Sequence, residues 1–169
     1  SFNIPYGPFV MPGDYQVRLR VNNVLYTEDV SVQSDPDISI STADRREWHD
    51  MLVELTHLQG RVRAVRRAAG QIKDQLQTVI STFKRLPNVP DTLVSDVEIL
   101  FRQVSEIVRE SQPQEGLFGG SMPKRFRVVD QINMVYAYME GSTAPPTEDQ
   151  KRWQRLGTKR LDQIENELT

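Results

Sequence analysis

The stretch that decides the fold is residues 42–85, which read TADRREWHDMLVELTHLQGRVRAVRRAAGQIKDQLQTVISTFKR. Its apolar residues recur at alternating spacings of three and four, which is typical of a helix with one apolar side. Such a helix would be roughly 65 Å long, and other helices must cover its apolar side. We call these apolar positions the long seam: Trp48, Met51, Leu55, Leu58, Val62, Val65, Ala69, Ile72, Leu76, Val79 and Phe83.

Helical periodicity continues to the end of the chain. The pattern predicts helices at about 42–85, 91–111, 123–140 and 147–168, separated by segments rich in proline or glycine. Short links favour helices that pack against each other. Residues 39–169 are therefore predicted to form a bundle of three to four helices.

Capping residues stand at the predicted starts of two helices, and two glycines lie inside the long helix. Ser41 is placed to cap the long helix, and Thr147 with Gln150 matches the pattern of a capping box. Gly60 and Gly70 interrupt the long helix without disturbing its apolar register. We interpret these two glycines as points of close packing.

The first forty residues follow a different period. Residues 15–21 and 24–32 alternate apolar with polar side chains, and Asn22 and Asn23 between them tolerate the positive φ angles of a tight turn. This pattern predicts an antiparallel hairpin within a unit of residues 1–38. Since a two-stranded sheet is marginal in water, it either packs on the helices or is completed by another chain or an upstream part. The predicted fold class is mainly α, with a small N-terminal hairpin before the bundle.

Composition limits the possible functions. The 169 residues are 38% hydrophobic and 26% charged, enough to build a core. A net charge of −2 predicts no general attraction to nucleic acid, and no apolar run approaches the ~20 residues of a membrane span. The chain has no cysteine, which excludes disulfides and thiol chemistry. Ser1 is equally compatible with a native, a processed or a truncated terminus.

The sequence contains no recognisable arrangement of catalytic residues. His49 and His57 are its only histidines, and their spacing matches no known metal motif, so we interpret them as surface residues. The glycine-rich segment 116–121 lacks the lysine of a phosphate-binding loop. We therefore assign no catalytic, cofactor-binding or metal-binding residue and expect no enzyme.

Two kinds of residue are candidates for binding a partner. Several aromatic residues lie in irregular segments, where they could anchor the chain to a larger assembly. Two groups of basic residues, at 61–67 and 124–127, could contact an acidic protein, lipid head groups or nucleic acid, or could instead pair with carboxylates of neighbouring helices. The candidates are Phe2, Tyr6, Phe9, Phe118, Arg63, Arg66, Arg67, Lys124 and Arg125.

Parts of the chain resemble a known family. Residues 7–19, GPFVMPGDYQVRL, are similar to a passage near the C-terminus of bacterial sortilin-like BNR-repeat proteins, and the match continues at 35–37, 127–132 and 144–147. In that family a sialidase-like β-propeller precedes an immunoglobulin-like or fibronectin-like β-unit and a helical region. This sequence contains no propeller, and Asp37 stands where the family often has arginine. The resemblance implies a periplasmic or secreted bacterial protein with a binding or structural role, and it transfers no active-site residue.

We therefore expect a non-enzymatic accessory subunit without cofactors. It would dock on a larger protein assembly, for instance a membrane complex on its periplasmic side, without itself spanning the membrane or binding nucleic acid. The alternative is the C-terminal remnant of a secreted BNR-repeat propeller hydrolase or glycan-binding protein whose activity lies upstream. A third hypothesis, self-association through the long seam, ranks last because four helices in one chain can cover each other.

Overall fold

The computed structural model describes residues 7–114 and 125–168. An N-terminal antiparallel hairpin is followed by four helices, which confirms the predicted fold class. The elements are β1 (Gly13–Val21), β2 (Val24–Val32), α1 (Thr42–Phe83), α2 (Asp91–Glu110), α3 (Val128–Glu140) and α4 (Glu148–Glu167).

The predicted caps and the predicted turn are present. The Ser41 hydroxyl accepts a hydrogen bond from the Asp44 amide at 3.1 Å. Thr147 and Gln150 form a reciprocal capping box at the start of α4. Asn22 and Asn23 adopt φ angles of 48° and 63°, as a two-residue hairpin turn requires.

Two helix boundaries differ appreciably from the prediction. α1 ends at residue 83 instead of 85, and α3 begins at residue 128 instead of 123. Arg127 has an extended backbone, and its Nη1 donates hydrogen bonds to the carbonyls of Gln112 at 3.2 Å and Pro113 at 3.3 Å. The side chain of Arg127 thus ties the start of α3 to the end of α2, where sequence periodicity suggested a continuous helix. Residues 123 and 124 of the predicted helix lie outside the described residues.

Helix α1 is the element against which the other three pack. α2 runs antiparallel to it, because Lys84 Nζ lies 3.6 Å from Glu98 Oε1 while Lys73 Nζ lies 5.8 Å from the ring centre of Phe101. Nearer the N-terminus of α1, Gln59 and Val62 line the same cleft as Ser111 and Pro113, which directly follow α2. α2 therefore covers the C-terminal half of α1.

The N-terminal half of α1 is covered by α3 and α4. The Trp48 indole donates to the Met139 carbonyl at 2.9 Å, and Gln59 Nε2 donates to Asn133 Oδ1 at 3.0 Å, so α3 is antiparallel to α1. α4 runs parallel to α1, since Glu47 pairs with residue 151 and Arg61 with residues 162 and 165. A three-helix core results, and its largest fully buried side chains are Leu52, Leu55, Ile132, Met139, Leu161 and Ile164.

The interpretation of Gly60 and Gly70 as close-packing points is wrong. A Cβ at position 70 would meet nothing within 4 Å, and one at position 60 would meet only the side chain of Arg63 at 3.8 Å. The close approach is instead at Gly157 of α4, where a Cβ would lie 3.2 Å from Cγ1 of Ile132. Periodicity shows which side of a helix is apolar, but it does not show at which residue a neighbouring helix comes closest.

Candidate protein-interaction surface

The hairpin has one apolar face and one polar face. The pairing of β1 with β2 places Tyr15 opposite Val30, and Leu19 opposite Tyr26, and directly paired residues share a face. The members of this face, which we call the apolar hairpin face, are Tyr15, Val17, Leu19, Val21, Val24, Tyr26, Glu28, Val30 and Val32.

This apolar face is open to solvent. Apart from the half-buried Val32, the relative exposure of its large hydrophobic side chains ranges from 37% for Tyr15 to 59% for Leu19, and neither strand contains a buried residue. Of the alternatives that the sequence left open, packing of the hairpin on the helices is therefore not observed.

The polar face is internally bonded. Gln16 Nε2 donates to Asp29 Oδ1 across the two strands at 3.3 Å, and Arg18 Nη2 donates to Gln16 Oε1 at 2.8 Å. Thr27 lies opposite Arg18 on the same side. This face is compatible with water, so only one side of the hairpin lacks a partner.

Glu28 is the single charged residue on the apolar hairpin face. It lies opposite Val17, near the middle of the ribbon, and no lysine or arginine shares its face. Covering it without a compensating cation would bury an unpaired charge, which is costly. The carboxylate therefore limits which surfaces can cover the hairpin.

The predicted aromatic anchors are only partly within the structure. Phe9 precedes β1 and is 78% exposed, so its ring is available for contact. Phe2, Tyr6 and Phe118 lie outside the described residues, as does Lys124.

The first arginine group divides into paired and unpaired members. Arg61 donates from Nη2 to Asp162 Oδ1 and Glu165 Oε2, both at 2.6 Å, so it links α1 to α4. Arg63, Arg66 and Arg67 are exposed, and within residues 7–114 and 125–168 no ion pair is found for them. Arg63 and Arg66 border a shallow cleft of about 220 Å³ on the bundle.

The second basic group contains an arginine with a structural role. Nη2 of Arg125 lies 3.7 Å from Oε2 of Glu110, whose side chain is only 4% exposed. This carboxylate is buried and needs a cation nearby, so Arg125 compensates it. The structure thus places the basic candidates on the bundle and Phe9 beside the hairpin, without a contact that unites them into one site.

Ionisable groups with shifted pKa values belong to ion pairs or to the core. Hydrogen bonds that Arg61 donates to Glu165 and Asp162 raise the pKa of Arg61, and a hydrogen bond donated by Arg109 lowers the pKa of Glu106. Burial raises the pKa of the Tyr136 phenol. None of these groups is grouped with a nucleophile and a base in the manner of a catalytic site.

The two histidines do not form a cluster with carboxylates that could serve as a metal or catalytic site. Nδ1 of His49 lies 3.5 Å from Oδ1 of Asp50, its sequence neighbour, while His57 is exposed two turns further along α1. Among the described residues, no group of three or more potential ligand side chains could hold a metal ion.

None of the described helices combines the length and the apolar character needed to cross a bilayer.

Comparison with known proteins gives no relative. No protein-family model, no curated protein and no solved structure matches this chain. The function must therefore be argued from the surface that the chain exposes.

Proposed function

We propose that this chain is a non-enzymatic structural and interaction module, an accessory extracytoplasmic subunit that docks on a larger protein complex and stabilises it. The observation that carries the proposal is the apolar hairpin face, whose large hydrophobic side chains other than Val32 are 37–59% exposed. The extracytoplasmic setting, periplasmic or secreted, rests on the resemblance of residues 7–19 to the sortilin-like family. Contact with a membrane-bound complex fits the same setting.

The size of the face is appropriate for docking. Each strand has nine residues, so the ribbon is about 30 Å long, and two strands are about 10 Å wide. The resulting patch of about 300 Å² reaches the range in which exposed apolar patches on monomers are often functional. Covering this face would also stabilise the hairpin, because a two-stranded sheet alone is only marginally stable in water.

The partner that best fits this face is the apolar side of another β-sheet with a lysine or arginine opposite Glu28. Two pleated apolar faces pack well at a separation of about 10 Å. A second copy of the chain fits less well, since face-to-face pairing would bury two Glu28 carboxylates with no cation on either face. The exposed edges of β1 and β2 can add partner strands to the same assembly.

The test is capture of the partner from the native source in mild detergent, with matched variants of the full chain. Leu19→Glu places a charge on the apolar hairpin face, whereas Thr27→Glu places the same charge on the polar face. We expect the first variant to lose the partner and the second to retain it. Neither change touches the helical core, so both variants should keep the helical circular dichroism of the original chain.

A photo-crosslinking phenylalanine analogue at position 26 identifies the surface that is contacted. The expected crosslinks map to the apolar face of a β-sheet in the captured protein. Equal capture by the Leu19→Glu and Thr27→Glu variants, or crosslinks that map to a helix, would refute docking through this face.

The alternative is that the covering sheet lies upstream in the same polypeptide. The chain would then be the C-terminal remnant of a secreted BNR-repeat propeller hydrolase or glycan-binding protein, as the resemblance of residues 7–19 implies. The intact mass of the native polypeptide separates the two: 19.5 kDa supports the accessory subunit, and a much larger mass supports the remnant.

A further inference from the structure

A small apolar cavity lies between α3 and α4, away from the hairpin. Its volume is about 230 Å³, and its lining includes Phe126, Met134, Val135, Tyr138, Asp149 and Trp153. At about 30 Å³ per water molecule in the liquid, this volume corresponds to roughly eight waters. The cavity can therefore hold a compact organic group and is too small for a peptide segment.

Two of the lining rings stand at right angles. The ring centres of Phe126 and Trp153 are 5.9 Å apart, and the angle between their planes is 84°. Nε2 of Gln131 donates to the carbonyl of Trp153 at 2.8 Å, which fixes α4 against α3 at this point. Tyr138 contributes a third ring and is 64% exposed, so it can be reached from solvent. Three aromatic rings thus line one small cavity, and two of them are perpendicular to each other.

The charge of the lining favours a cation. Asp149, in the first turn of α4, is the only ionisable acid among the described lining residues, and none of these residues is a lysine, arginine or histidine. Its neighbour Glu148 is already paired with Lys151 at 3.2 Å. The aromatic rings and this one carboxylate therefore both favour a cation as the bound group.

We propose that this aromatic pocket binds a quaternary ammonium group, the cationic head found in choline and betaine. A primary ammonium needs up to three hydrogen-bond acceptors, whereas the surface of this cavity is almost entirely carbon, and Oε1 of Gln150 in its lining already accepts a hydrogen bond from the Thr147 amide. A quaternary ammonium donates no hydrogen bond and is attracted by ring faces, the arrangement by which aromatic cages recognise such cations.

The experiment is an NMR titration of the full chain with choline, monitored at the indole N–H resonances. The chain has two tryptophans, which makes one of them an internal control. Trp153 lines the pocket, whereas the indole of Trp48 donates to the Met139 carbonyl within the bundle. We expect a saturable shift of the Trp153 resonance and little change at Trp48.

A neutral analogue separates cation recognition from simple apolar filling. In 3,3-dimethylbutan-1-ol a carbon atom replaces the nitrogen of choline, so the shape is kept and the charge is lost. We expect this alcohol to bind about tenfold more weakly than choline. Equal affinities, or no saturable shift of Trp153 with choline, would overturn the proposal.

Variants locate the binding to this pocket. Tyr138→Leu removes an exposed ring and Asp149→Asn removes the charge, and both should weaken choline binding severalfold. The matched control is Tyr26→Leu on the hairpin, a similarly exposed tyrosine outside the pocket, which should leave binding unchanged. Unaltered binding by the Tyr138→Leu variant contradicts the assignment. Cosedimentation with phosphatidylcholine vesicles then distinguishes a lipid head group from a free solute as the source of the cation.

Discussion

Gly157 lies where α4 has little room for a side chain. A Cβ there would be 3.2 Å from Cγ1 of Ile132, a core side chain that is only 1% exposed. Because buried side chains have little room to move, Ile132 would have to yield by a few tenths of an ångström against tight packing. Gly70, also inside a helix, faces open space.

The two glycines therefore predict opposite responses to the same substitution. Gly70→Ala should raise the free energy of unfolding by about 1 kcal/mol, since alanine is the better helix former. Gly157→Ala gains the same helical preference but meets Ile132, so we expect no stabilisation or a loss of about 1 kcal/mol. Urea denaturation followed by circular dichroism measures both. Equal stabilisation by the two substitutions would show that α3 and α4 are not in close contact at Gly157.

Arg61 is the second residue whose role depends on geometry. Its guanidinium binds Glu165 through Nε at 3.0 Å and Nη2 at 2.6 Å, and also reaches Asp162. This two-point contact requires a planar group with several donors, which lysine does not have.

We predict that Arg61→Lys lowers the free energy of unfolding by about 1 kcal/mol at low salt. The matched control is Arg63→Lys, two residues away and exposed, which should change stability by less than about 0.5 kcal/mol. Raising the ionic strength should reduce the difference in stability between the two variants, since salt screens partly exposed charges. Thermal melts at two salt concentrations provide the measurement, and equal melting temperatures for the two variants contradict the prediction.

At the scale of elements, α1 is covered unequally along its length. Its seam is buried from Met51 to Ala69, where α3 and α4 contribute to the core. Beyond Ala69 the seam residues Ile72 and Leu76 are only half-buried, and the buried residue on this part of α1 is Ile80, which lies outside the seam. Leu55 is fully buried, whereas Val79 is 37% exposed although both occupy the same seam. Residues at equivalent positions of the seam therefore contribute different amounts to the free energy of unfolding.

Truncation of seam residues should reveal this difference. Leu55→Ala is expected to cost about 3 kcal/mol, because it leaves a cavity in the three-helix part of the core. Val79→Ala should cost less than about 1 kcal/mol, since much of that side chain already contacts water. Chemical denaturation of the two variants measures both values. A similar large cost at Val79 would mean that the seam is covered there as well, as self-association through the long seam requires.

At the scale of the whole molecule, one long helix sets the minimum length. The 42 residues of α1 rise by 1.5 Å each, so the helix is about 63 Å long. A compact domain of this chain length would have a radius of gyration near 15 Å.

Small-angle X-ray scattering tests this extended form. We expect the monomer to have a maximum dimension of at least about 63 Å and a radius of gyration clearly above about 15 Å. Measurement over a dilution series, with the Leu19→Glu variant in parallel, separates the monomer from association through the hairpin. A radius of gyration close to 15 Å would mean that α1 is broken.

Much of the architecture is local and could therefore be predicted. The seam, the caps at Ser41 and Thr147 and the turn at Asn22 and Asn23 depend on neighbours within a few residues, and all of them are present. The alternation that places Leu19 and Tyr26 on one face is equally local. Periods of 3.6 and 2.0 residues are properties of the backbone, so they can be read without knowledge of the rest of the chain.

Contacts between distant segments could not be predicted in this way. Arg127 leaves helical geometry because carbonyls of Gln112 and Pro113 bind its side chain, and the aromatic pocket combines Phe126 with Trp153. Hydrophobic periodicity does not predict contacts between residues so far apart in the sequence.

The sequence by itself determined which elements form and which side of each is apolar, because helix and strand geometry follow from short-range backbone sterics and side-chain spacing. Only the tertiary structure decided which apolar surfaces are covered. It buries the first half of the α1 seam, leaves the apolar hairpin face open and assembles the pocket between α3 and α4. The physical reason is that burial depends on the surfaces of segments far apart in the chain, which no local pattern specifies.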